Sequence, residues 1–180
     1  LIAVLEDSKV DYEPYLVPPV TNIPNFHLPG FNDPRFLEVN AYHHLTTARA
    51  KAIEFGAVEV DGEHIVFDIW SNKRNNDYYS PSDHKVRYAR SNPGLGEVHP
   101  ARDASVTYHE YGHHVQWSLC NTYDSAGNTV DNNEASGLGE GFADVFANSI
   151  TGKSNVFEVW AATAPGVQRD ASKAVPPDFE

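Results

Sequence analysis

The sequence contains one cysteine, few basic residues and no long apolar run. Cys120 cannot form a disulfide within the chain, so we expect it to be a small buried apolar residue. Lysine and arginine number 13 against 25 aspartates and glutamates, and the formal net charge is -12. This charge disfavours binding to nucleic acid or to an anionic membrane. No apolar run approaches the roughly 18 residues that a membrane-spanning helix needs, so membrane insertion is not expected.

The remaining composition is typical of one globular domain. The chain has 180 residues, of which 41% are hydrophobic, enough to bury a core. Its first part differs from the rest because proline is frequent there, at positions Pro14, Pro18, Pro19, Pro24, Pro29 and Pro34. Proline at this density favours extended, loop-like structure. We therefore predict a wrapping segment over residues 1–37 and a catalytic lobe over residues 38–180.

After the proline-rich part, the sequence pattern first predicts a helix and then strands. A helix is predicted from Pro34 to Gly56, and His43 and His44 on it are expected to be packing or surface residues. Residues 58–70 alternate in the manner of a hairpin with a turn at Asp61-Gly62, or of two sheet strands that do not pair with each other. Further strands are predicted at Tyr78-Tyr79, which we place at a sheet edge, and at residues 85–88. An exposed edge of this kind can pair with an extended peptide.

A metal-binding pattern follows in the next predicted helix. His109 and His113 are four residues apart, so both imidazoles lie on one helix face and can share one metal ion. Glu110 is offset by roughly 100° around the helix, which makes it a base and not a ligand. Asp103 or Ser105 can cap this helix, and Val106, Trp117 and Cys120 continue an apolar stripe along it. Gly112 leaves room for the metal or for a neighbouring backbone.

A second helix carries the acidic groups that complete this pattern. It is predicted from Leu138 to Ile150, with a packing face formed by Leu138, Phe142, Val145, Phe146 and Ile150. Glu140 is placed to be the third ligand, and Asp144, one turn later, to accept the outer N–H of a ligating histidine. Two histidines and a glutamate leave the fourth position of zinc open to water, which is the catalytic arrangement.

These residues resemble the signatures of a known group of enzymes. His109-Glu-Tyr-Gly-His113 and Gly139-Glu140-Gly-Phe-Ala-Asp144 are similar to the gluzincin metallopeptidases, in particular the thermolysin-like and fungalysin-like families. The resemblance implies an α+β, zincin-like fold, in which a mixed sheet with a substrate-binding edge strand packs on the active-site helix and a helical segment follows. Metzincins do not fit, because their third histidine would fall at Leu119.

The resemblance also implies further site residues. Residues 74–88 look like the edge strand that binds substrate backbone, here Asn76, Asp77, Tyr78 and Tyr79, and Val106 would line the pocket for an apolar side chain. Arg169 matches an arginine that binds the substrate carbonyl. The families place an oxyanion-stabilising histidine downstream, but this chain has no histidine after His114. We expect that the chain ends before it, and Tyr123 is a weak substitute donor.

The function that follows is zinc-dependent endopeptidase activity on peptides or proteins. Zinc held by His109, His113 and Glu140 would activate a water, and Glu110 would take its proton and pass it to the leaving amine. The resemblance implies a secreted protein. The alternative is a zinc-containing module or fragment that binds peptides or a partner with little or no turnover. Structural Ca²⁺ is not favoured, because residues 121–137 do not form an EF-hand loop.

Overall fold

The structure, a computed structural model, describes residues 10–12, 34–62, 64–69, 76–89, 98–120, 133–161, 169–170 and 172. Its helices are α1 (Pro34–Glu54), α2 (Ala104–Cys120), α3 (Asn133–Thr151) and the short α4 (Glu158–Ala161). Its strands are β1 (Val10–Tyr12), β2 (Ile65–Asp68), β3 (Tyr78–Ser80), β4 (Lys85–Arg87), β5 (Asn155–Val156) and β6 (Arg169–Asp170). Short 3-10 helices span Val58–Gly62 and Pro100–Arg102. The α+β class expected from the sequence is confirmed.

Four of the strands form one mixed sheet in the order β1-β2-β4-β3. β2 is parallel to both β1 and β4, whereas β3 runs antiparallel to β4 with Tyr79 opposite Val86. β3 therefore lies at an edge of this sheet, as predicted. β5 and β6 form a separate antiparallel pair. β1 was not predicted, and the division of the chain at residue 37 stays a prediction.

Of the two strands predicted over residues 58–70, the second is found as β2, whereas the first, and with it the hairpin, is wrong. Val58–Gly62 is a 3-10 helix, and the N–H of Val60 donates to the carbonyl of Ala57, 3.4 Å away, instead of to a neighbouring strand. β2 finds its partners in β1 and β4, which are distant in the sequence. Alternation of apolar residues predicts that a strand forms, but the partner of that strand depends on the packing of the whole sheet.

Helix α2 is the central element of the fold. It packs against α1 on one side, against α3 on another and against β3 and β4 of the sheet. Eleven of its residues are consequently buried, from Ser105 to Gln116 with only His113 partly exposed in that range. The C-terminal end of α2 is less buried than predicted. Cys120, its last residue, is exposed, and Trp117 is only partly buried. The apolar stripe thus stops before Cys120, whose predicted burial is wrong.

The packing face predicted for α3 is correct at Phe146, which is buried, and at Ile150, which packs partly buried against the core, but wrong at its other three positions. Leu138 and Val145 are 73% and 66% exposed, and Phe142 is exposed as well. The buried side of α3 consists of small residues together with one phenylalanine: Gly139, Ala143, Phe146 and Ala147. Small side chains allow two helices to approach closely, and hydrophobic periodicity gives them little weight. None of the described helices has the length and apolar character needed to cross a bilayer.

Candidate metal centre

The start of α2 is fixed by a side-chain cap. Asp103 Oδ1 accepts hydrogen bonds from the backbone N–H of Ser105, 3.0 Å away, and from its hydroxyl, 2.6 Å away. The other oxygen, Oδ2, accepts from the N–H of Val159 at 2.8 Å, and Ser105 Oγ accepts from the N–H of Phe157 at 2.7 Å. Asp103 is therefore the cap, and it joins the N-terminus of α2 to the chain around β5 and α4.

The three predicted ligands lie together. The Nε2 atoms of His109 and His113 are 3.1 Å apart. Glu140 Oε2 is 3.3 Å from His109 Nε2, and Glu140 Oε1 is 3.3 Å from His113 Nε2. Among the described residues, this is the one group of three or more metal-ligating side chains whose donor atoms converge, all within 4.8 Å of one another.

This donor set fits a zinc ion. Zinc ligands at about 2.0–2.1 Å in tetrahedral arrangement are about 3.3 Å from one another, close to the separations found here. Two imidazole nitrogens and one carboxylate are also a ligand set that zinc accepts. The side chain of Glu140 is 45% exposed while that of His109 is 3% exposed, so the centre is open to solvent on the α3 side.

Asp144 holds His109 from the other side of the ring. Its Oδ1 is 2.9 Å from His109 Nδ1, which places the Nδ1–H toward the carboxylate and leaves Nε2 directed at His113 and Glu140. Burial disfavours a charged His109, but the hydrogen bonds with Asp144 and Glu140 outweigh it and raise its pKa to about 9. Hydrogen bonds from His109 and His113 hold the pKa of Glu140 well below its usual range. The carboxylates of Asp144 and Glu140 therefore stabilise a positive charge on His109.

Glu110 lies beside this cluster and is fully enclosed by protein. Burial raises the pKa of its carboxyl group, and the nearby His109 and His113 act in the opposite direction. A backbone hydrogen bond from Tyr79 of β3 reaches the same carboxylate. Its Oε2 is buried without a hydrogen-bond partner in the part of the chain that the structure describes. A buried carboxylate with an unused oxygen, next to three metal-ligating groups, is suited to accept a proton.

Glu110 acts on a second buried carboxyl group, that of Asp77. Asp77 Oδ1 accepts from the N–H of Ala89 at 2.6 Å, while its Oδ2 is buried and has no hydrogen-bond partner among the described residues. The residue as a whole is partly exposed, so it is the carboxyl end that is enclosed. Burial raises the pKa of Asp77 well above its usual value, and the charge of Glu110 raises it further. This side chain contacts the protein interior and was predicted only as part of the substrate strand.

The two helices that carry the ligands touch at a glycine. A Cβ built on Gly112 would lie 2.8 Å from Cα of Ala143 and 3.3 Å from its carbonyl oxygen. Of the two reasons that the sequence left open for this glycine, the neighbouring backbone is the one that the structure supports. The close approach brings the face of α3 with Glu140 and Asp144 against the histidines of α2.

The other predicted substrate residues differ in accessibility. Asn76 is exposed and Tyr78 is partly buried. Tyr79 is buried, and its hydroxyl group lies 3.0 Å from Nδ1 of His114 on the inner side of α2. Val106 is fully buried in the core, which does not support its predicted contact with a substrate side chain. Tyr123 lies outside the described residues. Substrate binding by these side chains stays a prediction.

Arg169 joins the ligand cluster from β6. Its Nη1 donates to Glu140 Oε2 at 2.7 Å, and its Nη2 lies 3.1 Å from Asp144 Oδ1. The guanidinium carbon is 4.8 Å from the ring centre of Phe157, and that ring is 5.0 Å from the imidazole of His109. Phe157 was not predicted as a site residue, since a single phenylalanine 48 positions after His109 carries no local signal.

A known family matches the part of the chain that carries these residues. The model of the fungalysin metallopeptidase family (M36) matches residues 66–166, which is more than half of the sequence. The matched range includes β3, β4, α2, α3 and all of β2 except its first residue, and so all three candidate ligands together with Glu110 and Asp144. Arg169 lies beyond it. No curated protein matches the chain.

Proposed function

Since the chain belongs to the fungalysin metallopeptidase family, we propose that it hydrolyses peptide bonds with a zinc ion held by His109, His113 and Glu140. The observation that carries this proposal is the convergence of the three ligand side chains. Their donor atoms are separated by 3.1 Å and 3.3 Å, distances that suit tetrahedral zinc. Asp144 would keep His109 in the tautomer that offers Nε2 to the metal.

The reaction would need a base, and Glu110 is the residue that we propose for this role. When bound, zinc would polarise the scissile carbonyl and acidify a water molecule. Glu110 would remove a proton from the attacking water through its unpaired Oε2 and return it to the leaving amine. Its raised pKa, a consequence of burial, suits both halves of this transfer. The hydrogen bond from Tyr79 would keep the carboxylate in place.

The substrate would be a peptide or a protein chain. β3 is an edge strand, and an extended peptide can add to such an edge through main-chain hydrogen bonds. The proximity of Tyr79 to Glu110 would bring a peptide on this edge close to the base. An endopeptidase of gluzincin type, secreted from the cell, is the form of this activity that the sequence resemblance favours.

Metal content and hydrolysis test the proposal together. The purified chain would be loaded with Zn²⁺, dialysed and measured by mass spectrometry, and cleavage of an internally quenched peptide would be followed by fluorescence. The variants are Glu110→Gln, which keeps the ligands, and His113→Ala, which removes one. Glu54→Gln is the matched control, because Glu54 is an exposed glutamate paired with Lys51 on α1.

We expect one zinc per chain in the wild type, in Glu110→Gln and in Glu54→Gln, and a clear loss of zinc in His113→Ala. Cleavage should be absent in Glu110→Gln and unchanged in Glu54→Gln. Zinc binding without cleavage by the wild type would favour the non-catalytic binding module. Equal cleavage by Glu110→Gln would refute the assignment of the base.

A further inference from the structure

The guanidinium group of Arg169 contacts two of the three candidate metal ligands at once. Nη1 is 2.7 Å from Oε2 of Glu140. Nη2 is almost equally far from the two ring nitrogens of His109, 3.3 Å from Nδ1 and 3.2 Å from Nε2, so it lies against the face of the ring. Arg169 is thus a cation inside the ligand cluster, supplied by the chain itself.

The contact with Glu140 uses an oxygen that a metal ion requires. Oε2 of Glu140 is also the oxygen directed at His109 Nε2, 3.3 Å away, and a metal bound there would replace the arginine as its cationic partner. A divalent cation bound to Glu140 and His109 would also be only a few ångströms from the arginine charge and would repel it. We propose that Arg169 is an internal competitor of the metal, which holds Glu140, lies against the ring of His109 and withdraws when zinc binds. This inference rests on the proposed zinc site.

The surroundings of Arg169 provide a place for the withdrawn side chain. Asp144 Oδ1 lies 3.1 Å from Nη2, and the ring of Phe157 lies below the guanidinium group. Neither of these contacts uses a ligand atom. The arginine side chain is 37% exposed, so a movement outward leaves its charge in contact with water. Arg169 can therefore release the ligands and remain beside the site.

The consequence is a lower apparent affinity for zinc than the ligands alone would give. A competitor that is bound in most molecules reduces the apparent affinity by the fraction of time that the ligands are available. Partly exposed charge pairs are weak, so the effect should be moderate, about threefold to thirtyfold. The same pairs should stabilise the chain when no metal is bound and contribute little when zinc replaces them.

The test compares zinc affinity and thermal unfolding in Arg169→Gln and in the wild type. Zinc affinity is measured at pH 7.5 by competition with a chromogenic chelator, and Tm by circular dichroism with excess chelator and with excess Zn²⁺. Lys153→Gln is the control, because Lys153 is an exposed cation near β5 whose charge pairs with Glu158 and not with the ligands.

Arg169→Gln should bind zinc about tenfold more tightly than the wild type, and Lys153→Gln should bind it equally. The Tm of Arg169→Gln should be lower in chelator and close to the wild-type Tm in zinc. Unchanged or weaker zinc binding in Arg169→Gln would overturn the inference while leaving the zinc site in place. A wild type that binds no zinc would overturn both the inference and the proposed function. If Arg169→Gln binds zinc more tightly but the wild type cleaves no peptide, only the proposed activity would be overturned.

Discussion

A methyl group on Gly112 would lie 2.8 Å from Cα of Ala143, closer than two such carbons can approach. Gly112→Ala should therefore push α2 and α3 apart and destabilise the chain by about 1–3 kcal/mol, despite the better helix propensity of alanine. Gly141→Ala is the control, because nothing lies within 4 Å of a Cβ at this exposed position. It should stabilise the chain by up to about 1 kcal/mol. Urea unfolding of the two variants measures the difference, and equal effects would contradict the close contact.

Asp144 should strengthen metal binding through His109. The 2.9 Å contact between Asp144 Oδ1 and His109 Nδ1 fixes the ring orientation and makes Nε2 a better donor. Asp144→Ala should weaken zinc binding about 10-fold to 100-fold, measured by chelator competition. Asp83→Ala, which removes an aspartate paired with Arg87 outside the ligand cluster, should leave zinc affinity unchanged. Equal affinities in the three proteins would show that Asp144 does not act on His109.

Asp103 should contribute strongly to folding stability. Its two oxygens accept three hydrogen bonds, two from Ser105 and one from the backbone of Val159. Asp103→Ala removes the cap of α2 and leaves the buried N–H of Ser105 without its acceptor, so we expect a loss of about 1–3 kcal/mol. Urea unfolding is the measurement, and Asp83→Ala again serves as the exposed control. A loss no larger than that of the control would show that water replaces the cap.

His99 should make the fold sensitive to acid. Its Nε2–H donates to the carbonyl of Ile69 at 2.7 Å and its Nδ1 accepts from the N–H of Ala101 at 3.1 Å, so the ring is neutral. Burial lowers its pKa to about 4, whereas an unfolded histidine titrates near 6.5. As pH falls from about 6.5 to about 4, the unfolded chain binds a proton that the folded chain does not, and stability falls.

The variant His99→Gln should show a shallower dependence of unfolding free energy on pH over that window. The difference in slope is up to about 1.4 kcal/mol per pH unit, one proton's worth. Urea unfolding at several pH values between 4 and 7 measures it. Identical slopes in His99→Gln and in the wild type would mean that burial does not lower the pKa of His99.

The effect of Asp77 on folding stability should depend on pH in the opposite sense to that of His99. Burial, followed by the charge of Glu110, raises its pKa, so the folded chain keeps a proton that an unfolded aspartate loses near pH 4. Stability therefore decreases as pH rises from about 4 toward the raised pKa. Asp77→Asn keeps an oxygen for the N–H of Ala89 and carries no charge. It should be more stable than the wild type at pH 7 and about equal at pH 4, by urea unfolding. A less stable variant at pH 7 would refute this.

Much of the fold and of the site was predictable from local patterns. α1 was expected from Pro34 to Gly56 and is found over Pro34–Glu54, because a proline start and a glycine end are local signals. The edge position of β3 also agrees with the prediction. The partners of β2 and most of the face of α3 were predicted wrongly, since both depend on which parts of the chain meet. Exposed Leu138 and Val145 show that the largest apolar residues of a helix need not mark its buried side.

The sequence by itself determined which residues form the candidate metal centre. The spacing of His109 and His113 places both rings on one face of any helix that forms there, and the spacing of Glu140 and Asp144 does the same for α3. Only the tertiary structure decided how these two faces meet, through the contact of Gly112 with Ala143. It also placed Arg169 against Glu140 and His109, and the carboxyl group of Asp77 near Glu110. Helical spacing is a local property, whereas contacts between residues far apart in the chain depend on how the whole fold packs.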